Sequence, residues 1–202
     1  MIPVVLLPGM MCDARLWGPV MGVFAGRAVL HVPLTEGETT ADLAQAVLAL
    51  SPPQFALCGL SMGGIVAMEV LAQAPDRVAR LALLDTNPLA EAPEVQARRS
   101  PQIARALAGG LAGVMRDEMK PNYLAEGPGK AAILDLCMEM ALALGPQVFA
   151  RQSRALRDRH DLMHRLMPQS RLCIIAGAAH LPVLEQPART MDELAIWLAA
   201  RT

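Results

Sequence analysis

Short, unbroken apolar runs alternate with helical-period stretches through the first half of the chain. Val4 to Leu7 is continuously apolar and ends at Pro8-Gly9, which predicts a buried strand followed by a loop. Arg27 to Pro33 predicts a second strand, and Ala41 to Leu50 a helix with Thr39 or Thr40 at its cap and Pro52-Pro53 beyond its end. Phe55 to Cys58 predicts a third strand. It breaks at Gly59, and a helical pattern through Ile65, Val66, Met68 and Leu71 runs from there to Ala74, before Pro75. Val78 to Asp85 predicts a fourth strand. Apolar strands separated by helices predict a parallel sheet covered on both faces.

From Glu91 to about Leu166 the pattern turns helical throughout. Segments near Glu94–Leu107, Leu111–Met119, Lys130–Leu144 and Gln147–Arg157 are punctuated by Gly109-Gly110, Gly127-Pro128-Gly129 and Gly145-Pro146. This reads as a helical cap, about residues 91 to 160, inserted into a single domain spanning 1 to 202. Met138, Met140 and Leu142 read as packing residues within it. Arg171 to Ala176 predicts a fifth strand, Gly177 to Pro182 a loop carrying His180, and Ala188 to Ala200 a closing helix.

Composition narrows the functional classes. The 202 residues suit one domain with a good core, and the 53% hydrophobic content includes no apolar run of about eighteen residues, so no membrane span is expected. The start, Met1-Ile2-Pro3-Val4, lacks the basic region of a signal peptide and reads as the approach to the first strand. A net charge of −1 without blocks of like charge argues against nucleic acid as a partner. Four cysteines, Cys12, Cys58, Cys137 and Cys173, show no C-x-x-C spacing. They are expected as buried thiols in a reducing, cytoplasmic setting, with no metal and no cofactor. Aromatic residues are only 3% of the chain, so the core is expected to be filled largely by Leu, Met and Ala.

The chemistry gathers at Gly59-Leu60-Ser61-Met62-Gly63-Gly64. This is the G-x-S-x-G spacing of a nucleophile elbow, in which a serine sits on a tight strand-to-helix turn. Side chains two residues to either side would collide, hence glycine, and the following helix aims free N–H groups at charge forming near Ser61. A serine nucleophile needs a base. His180, in a small-residue loop after the last expected strand, lies where ligands meet the carboxyl ends of parallel strands. His31 falls inside a strand, and His160 and His164 in a charged helical stretch, so all three are poorer bases. The backbone N–H of Met62 and that of Met10, in the loop after the first strand, are the expected oxyanion donors.

These motifs resemble an α/β-hydrolase-fold serine hydrolase. Leu6-Leu7-Pro8-Gly9-Met10 is similar to that family's oxyanion loop, Gly59 to Gly64 to its elbow, and Ala179-His180-Leu181-Pro182-Val183-Leu184-Glu185-Gln186-Pro187 to its histidine loop. The likeness runs from about Val4 to Leu198 and is greatest to small esterase-like and C–C-hydrolase-like members. It implies a three-layer α/β-hydrolase fold with a mostly parallel sheet, shortened here, and an inserted helical cap. Family members carry a strand after the cap that ends in the triad's acid, and here no apolar run of strand length separates the cap from Arg171–Ala176. Asp161, in Arg159-His160-Asp161, is the nearest positional match to that acid. Asp85 is the alternative, since some lipases of this fold place their acid at that strand end, and a triad with no working acid is the third.

The functional expectation is hydrolysis of a carboxylic ester or related acyl substrate through an acyl-enzyme, with a largely apolar small molecule as substrate. Two rivals stand beside it: a truncated, catalytically weak binding protein, and a hydrolase of C–C bonds in diketone-like compounds. The missing strand leaves an apolar sheet edge, which predicts lowered stability or a homodimer.

Overall fold

The computed structural model describes residues 1–119, 123–127, 129–162 and 170–200. Four strands, β1 (Val4–Leu7), β2 (Val29–His31), β3 (Phe55–Leu60) and β4 (Val78–Leu84), form a sheet in the order β2-β1-β3-β4. Every pairing is parallel, with Val4 beside Val29 and Ala56, and Leu60 beside Leu84. The period-two alternation of strand side chains divides the core. Val5, Leu7, Phe55 and Leu57 pack on one face with helices α1 (Thr40–Leu50) and α2 (Met62–Gln73). Val4, Leu6, Ala56 and Cys58 pack on the other with Trp17 and Val20 of a 3-10 helix, Ala14–Phe24. Leu194 and Leu198 of the last helix complete that face. The result is the expected three-layer α/β architecture.

Local signals account for most of the boundaries. Thr39 caps α1 by accepting from the Asp42 N–H at 3.1 Å. In the inserted region α3 (Pro93–Arg105) leads through π-helical turns at Ala106–Gly110 and Val114–Met119, which flank the short α4 (Leu111–Gly113). The long α5 (Lys130–Arg157) is broken in its middle by Gly145, at φ 80° and ψ 173°, so the expected division at Gly145-Pro146 is a sharp kink within one element. By length and apolar content α5 could cross a membrane, yet Cys137, Met140, Val148 and Phe149 on it are buried against the core. Met140 is fully buried as expected, whereas Leu142 is 52% exposed. The chain ends in α6 (Pro182–Glu185) and α7 (Pro187–Ala199).

One expected element does not form. Arg171 to Ala176 is irregular chain, with Leu172 and Ile174 exposed at 86% and 84%. An apolar run becomes a buried strand only where a neighbouring strand takes up its N–H and C=O groups. Among the described residues β4 has no further strand beside it to receive this run. Cys173, expected within a core strand, is therefore exposed, while Cys12, Cys58 and Cys137 are buried.

The turn from β3 into α2 brings two backbones into direct contact. A Cβ on Gly59 would stand 2.3 Å from the Gly63 carbonyl oxygen, and one on Gly63 would stand 2.2 Å from that of Leu7. Neither neighbour is a movable side-chain tip, so any larger residue has to push the strand and helix apart. Gly63→Ala is expected to lower stability by about 3 kcal/mol or more in urea denaturation. Gly18→Ala, where the added methyl meets open space, should stay within about 0.5 kcal/mol of the parent. Equal stability of the two variants would contradict this packing.

Candidate active site

The same contact fixes Ser61. Its backbone lies at φ 52° and ψ −116°, a conformation that L-residues avoid. The end of β4 holds it there, since Ser61 N–H donates to Leu84 O at 2.9 Å and Thr86 Oγ1 donates to Ser61 O at 2.8 Å. Thr86 also packs onto Gly64, where a Cβ would lie 2.6 Å from its Cγ2. Non-glycine residues with positive φ are Met11, Ser61 and Asp85 among the described residues. All three belong to the loops at the carboxyl ends of β1, β3 and β4, so the strained backbone collects in one place.

His180 and Asp85 complete a line of side chains with the serine. His180 Nε2 is 2.9 Å from Ser61 Oγ, and His180 Nδ1 meets Asp85 Oδ2 on the other side of the ring. A carboxylate at Nδ1 holds the ring proton there and leaves Nε2 to accept from the serine hydroxyl. The histidine loop is tied down by residues whose part sequence reasoning missed. Glu185 accepts from the N–H groups of Ala179 and Leu181 at 3.0 and 2.8 Å, and from Ala125 N–H at 2.8 Å. His180 N–H donates to Tyr123 O at 2.9 Å, and the Tyr123 ring lies 4.9 Å from the imidazole. The signal for Glu185 was present within the quoted histidine-loop motif. Tyr123 had none.

The remaining candidates fall away from this line. Asp161, the nearest positional match for the acid, is exposed, and the carboxylate placed at His180 is the alternative, Asp85. The physical reason is the course of the chain after α5. Leu162 N–H donates to Pro88 O at 2.7 Å, which holds the segment carrying Asp161 against Pro88 in the loop after β4, while Asp85 directly follows β4, the strand paired with that of the elbow. His31 lies in β2, its pKa lowered by burial. His160 is exposed and 3.6 Å from Glu69, and His164 lies outside the described residues. Burial pushes the Cys58 thiol well above its ordinary range, which suits an inert core residue.

Ser61 and His180 open onto a cavity of about 220 Å³ roofed by the inserted helices. Met10 and Met62, the expected oxyanion residues, line it with Ile65, Met119 and Leu156. The loop carrying Met10 is clamped by the buried Gln152 of α5: Gln152 Oε1 accepts from Met11 N–H, and Gln152 Nε2 donates to Leu34 O, both at 2.8 Å. Polar residues also line the cavity. Glu91 holds Arg99 and Arg159 in a buried cluster, each pair at 2.8 Å. Burial alone would raise the Glu91 pKa, but hydrogen bonds and charges from both guanidiniums outweigh it and hold the carboxyl below its ordinary range. Among the described residues no group of His, Cys, Asp and Glu side chains is arranged to hold a metal ion.

Residues 33–113 match the family model of the α/β hydrolase fold. The pimeloyl-[acyl-carrier protein] methyl ester esterase of Klebsiella pneumoniae subsp. pneumoniae is 26% identical, over 94% of this chain and 91% of that protein. The alignment runs to 233 residues, more than the 202 of this chain, so the relative has residues with no counterpart here. The protein of that name from Pectobacterium carotovorum is 31% identical over 42% of this chain and 36% of its own. Among solved structures, an esterase from Thermogutta terrifontis superposes with a TM-score of 0.85 at 23% identity, covering 98% of this chain and 89% of that one. The enol-lactonase of Burkholderia xenovorans gives 0.84 at 18% identity, covering 99% and 92%. These likenesses show the fold: the chain has the α/β-hydrolase fold, and it is similar in sequence and structure to esterases that share it.

Proposed function

We propose that the chain cleaves a carboxylic ester, or a related acyl substrate, through an acyl-enzyme on Ser61. The observation that carries this reading is the unbroken line from Ser61 Oγ through the His180 ring to Asp85. Ser61 Oγ attacks the carbonyl carbon while its proton passes to His180 Nε2, and the carbonyl π electrons move onto oxygen. The N–H groups of Met10 and Met62 receive that oxyanion. Collapse of the tetrahedral species breaks the bond to the leaving oxygen, which takes the proton from Nε2. Water then repeats the sequence against the acyl-serine, giving its proton to Nε2 and releasing the acid and free Ser61. Asp85 keeps the imidazole in the right tautomer and balances its charge when protonated. Met10, Ile65, Met119 and Leu156 suit a partly apolar small molecule. The ester reading also accords with the names borne by the relatives, two of them methyl ester esterases.

Gln152 enters as a residue acting through the backbone. Without its amide, Met11 N–H and Leu34 O lose their partners in a buried place, and each orphaned group costs about 1–3 kcal/mol. The Met10 donor then loses its fixed position.

Three outcomes are expected. A fluorophosphonate probe should label the protein, fluoride leaving as the Ser61 Oγ–P bond forms, and Ser61→Ala should abolish both labelling and hydrolysis of p-nitrophenyl butyrate. Folded protein that neither labels nor hydrolyses such esters would instead be a catalytically weak binding protein. Asp85→Asn should lower kcat by about 10⁴-fold, whereas Asp161→Asn should leave it within about twofold; the reverse order would move the acid to Asp161. Gln152→Ala should lower kcat by about 10- to 100-fold, as expected for loss of part of one oxyanion donor's contribution, with a smaller change in KM. A change confined to thermal stability would make Gln152 a packing residue only.

A further inference from the structure

The cavity beside Ser61 carries more cationic recognition than an ester alone requires. Arg99 and Arg159 are buried, with side chains 8% and 9% exposed, and share a single carboxylate, Glu91. Arg99 spends Nε and Nη2 on the two oxygens of Glu91, and among the described residues its Nη1 meets only the Met10 sulfur at 3.5 Å, a weak acceptor. Arg159 donates from Nε to Leu89 O and from Nη1 to Glu91 and Leu156 O, while its Nη2 has no hydrogen-bond partner among the described residues. All three side chains line the cavity that holds the nucleophile. The other carboxylate lining it, Asp85, is engaged with His180. A buried cluster with one cation in excess is costly unless an anion completes it, and a guanidinium with free donors matches a carboxylate in shape and charge.

Resting on the ester-hydrolase reading above, we infer that the Arg99–Arg159 pair is a carboxylate-binding subsite, so that the substrate is a half-ester: one end the scissile ester, the other a free carboxylate. The Arg99 guanidinium touches the side chain of Met10, whose backbone is an oxyanion donor. The two ends of the substrate are therefore separated by a short chain, in keeping with a cavity of about 220 Å³.

The test compares monomethyl adipate with methyl hexanoate on the intact protein at pH 7 and low salt. At least a tenfold preference in kcat/KM for the half-ester is expected, shrinking as KCl is raised, since ions screen the attraction. The preference should collapse in Arg159→Gln and be partly kept in Arg159→Lys, with circular dichroism confirming that both variants fold. Should Arg159→Gln fail to fold, the comparison of the two esters on the parent protein still decides. Calorimetric titration of adipate into Ser61→Ala reads the subsite without catalysis, and inorganic phosphate titrated in parallel asks whether the site is specific for carboxylate. Equal kcat/KM on the two esters together with no adipate binding would overturn the subsite while leaving the esterase reading intact. Adipate binding without turnover of either ester would do the opposite. Phosphate binding as tight as that of adipate would overturn the carboxylate assignment.

Discussion

The site depends on one steric constraint: a strand and a helix meet so closely at Gly59 and Gly63 that neither position can carry a side chain. That contact throws Ser61 to the outside of the turn in a backbone conformation it would not choose alone. Two hydrogen bonds from the β4 end, at Leu84 and Thr86, over-determine the strained residue. The proposed nucleophile is thus set by backbone packing between strand and helix.

The contact of Asp85, at the end of β4, with His180 has a consequence for so short a sheet. The β4 end already supports the elbow through Leu84 and Thr86, and Asp85 lies between them. Ser61 and Asp85 therefore follow neighbouring, hydrogen-bonded strands. Only His180 arrives from elsewhere, and it is held by Glu185 and Tyr123 rather than by a strand of its own. The Ser61–His180–Asp85 line needs no further strand beside β4 and no strand at Arg171–Ala176. The loss is felt instead at the edge, where β4 is half-exposed along its whole length and Leu172 and Ile174 face solvent.

The parts that were legible in the sequence are those governed by local rules. Strand runs, the Thr39 cap, the breaks at Pro75 and Gly145, and the elbow all follow from periodicity, capping and sterics within a few residues. The failure of Arg171–Ala176 to pair was not legible, because a strand is made by its neighbour and apolarity says only that burial would be favourable. The choice between Asp161 and Asp85 was likewise a question of where the chain goes after α5. Gln152, Tyr123 and the Arg99–Glu91–Arg159 cluster join residues far apart in sequence, and their spacing carries no mark of the contact.

That cluster is hard to explain as a stabilising device. Desolvating two guanidiniums and a carboxylate costs several kcal/mol per ion, and well-packed apolar residues commonly do as well or better in such places. Arg159 does bind the carbonyls of Leu89 and Leu156, which ties the loop after β4 to the end of α5. Those two bonds use only part of the guanidinium, and a neutral donor could make them. What a neutral donor could not supply is a positive charge at the wall of the cavity that Ser61 and His180 also line. The cavity is lined both by the polar Asp85, His180, Arg99 and Arg159 and by the apolar Met119 and Ile65. A wholly apolar ester would leave the Arg99 and Arg159 guanidiniums facing no charge of its own, and this mismatch, more than the count of ion pairs, is the argument for the proposed carboxylate subsite.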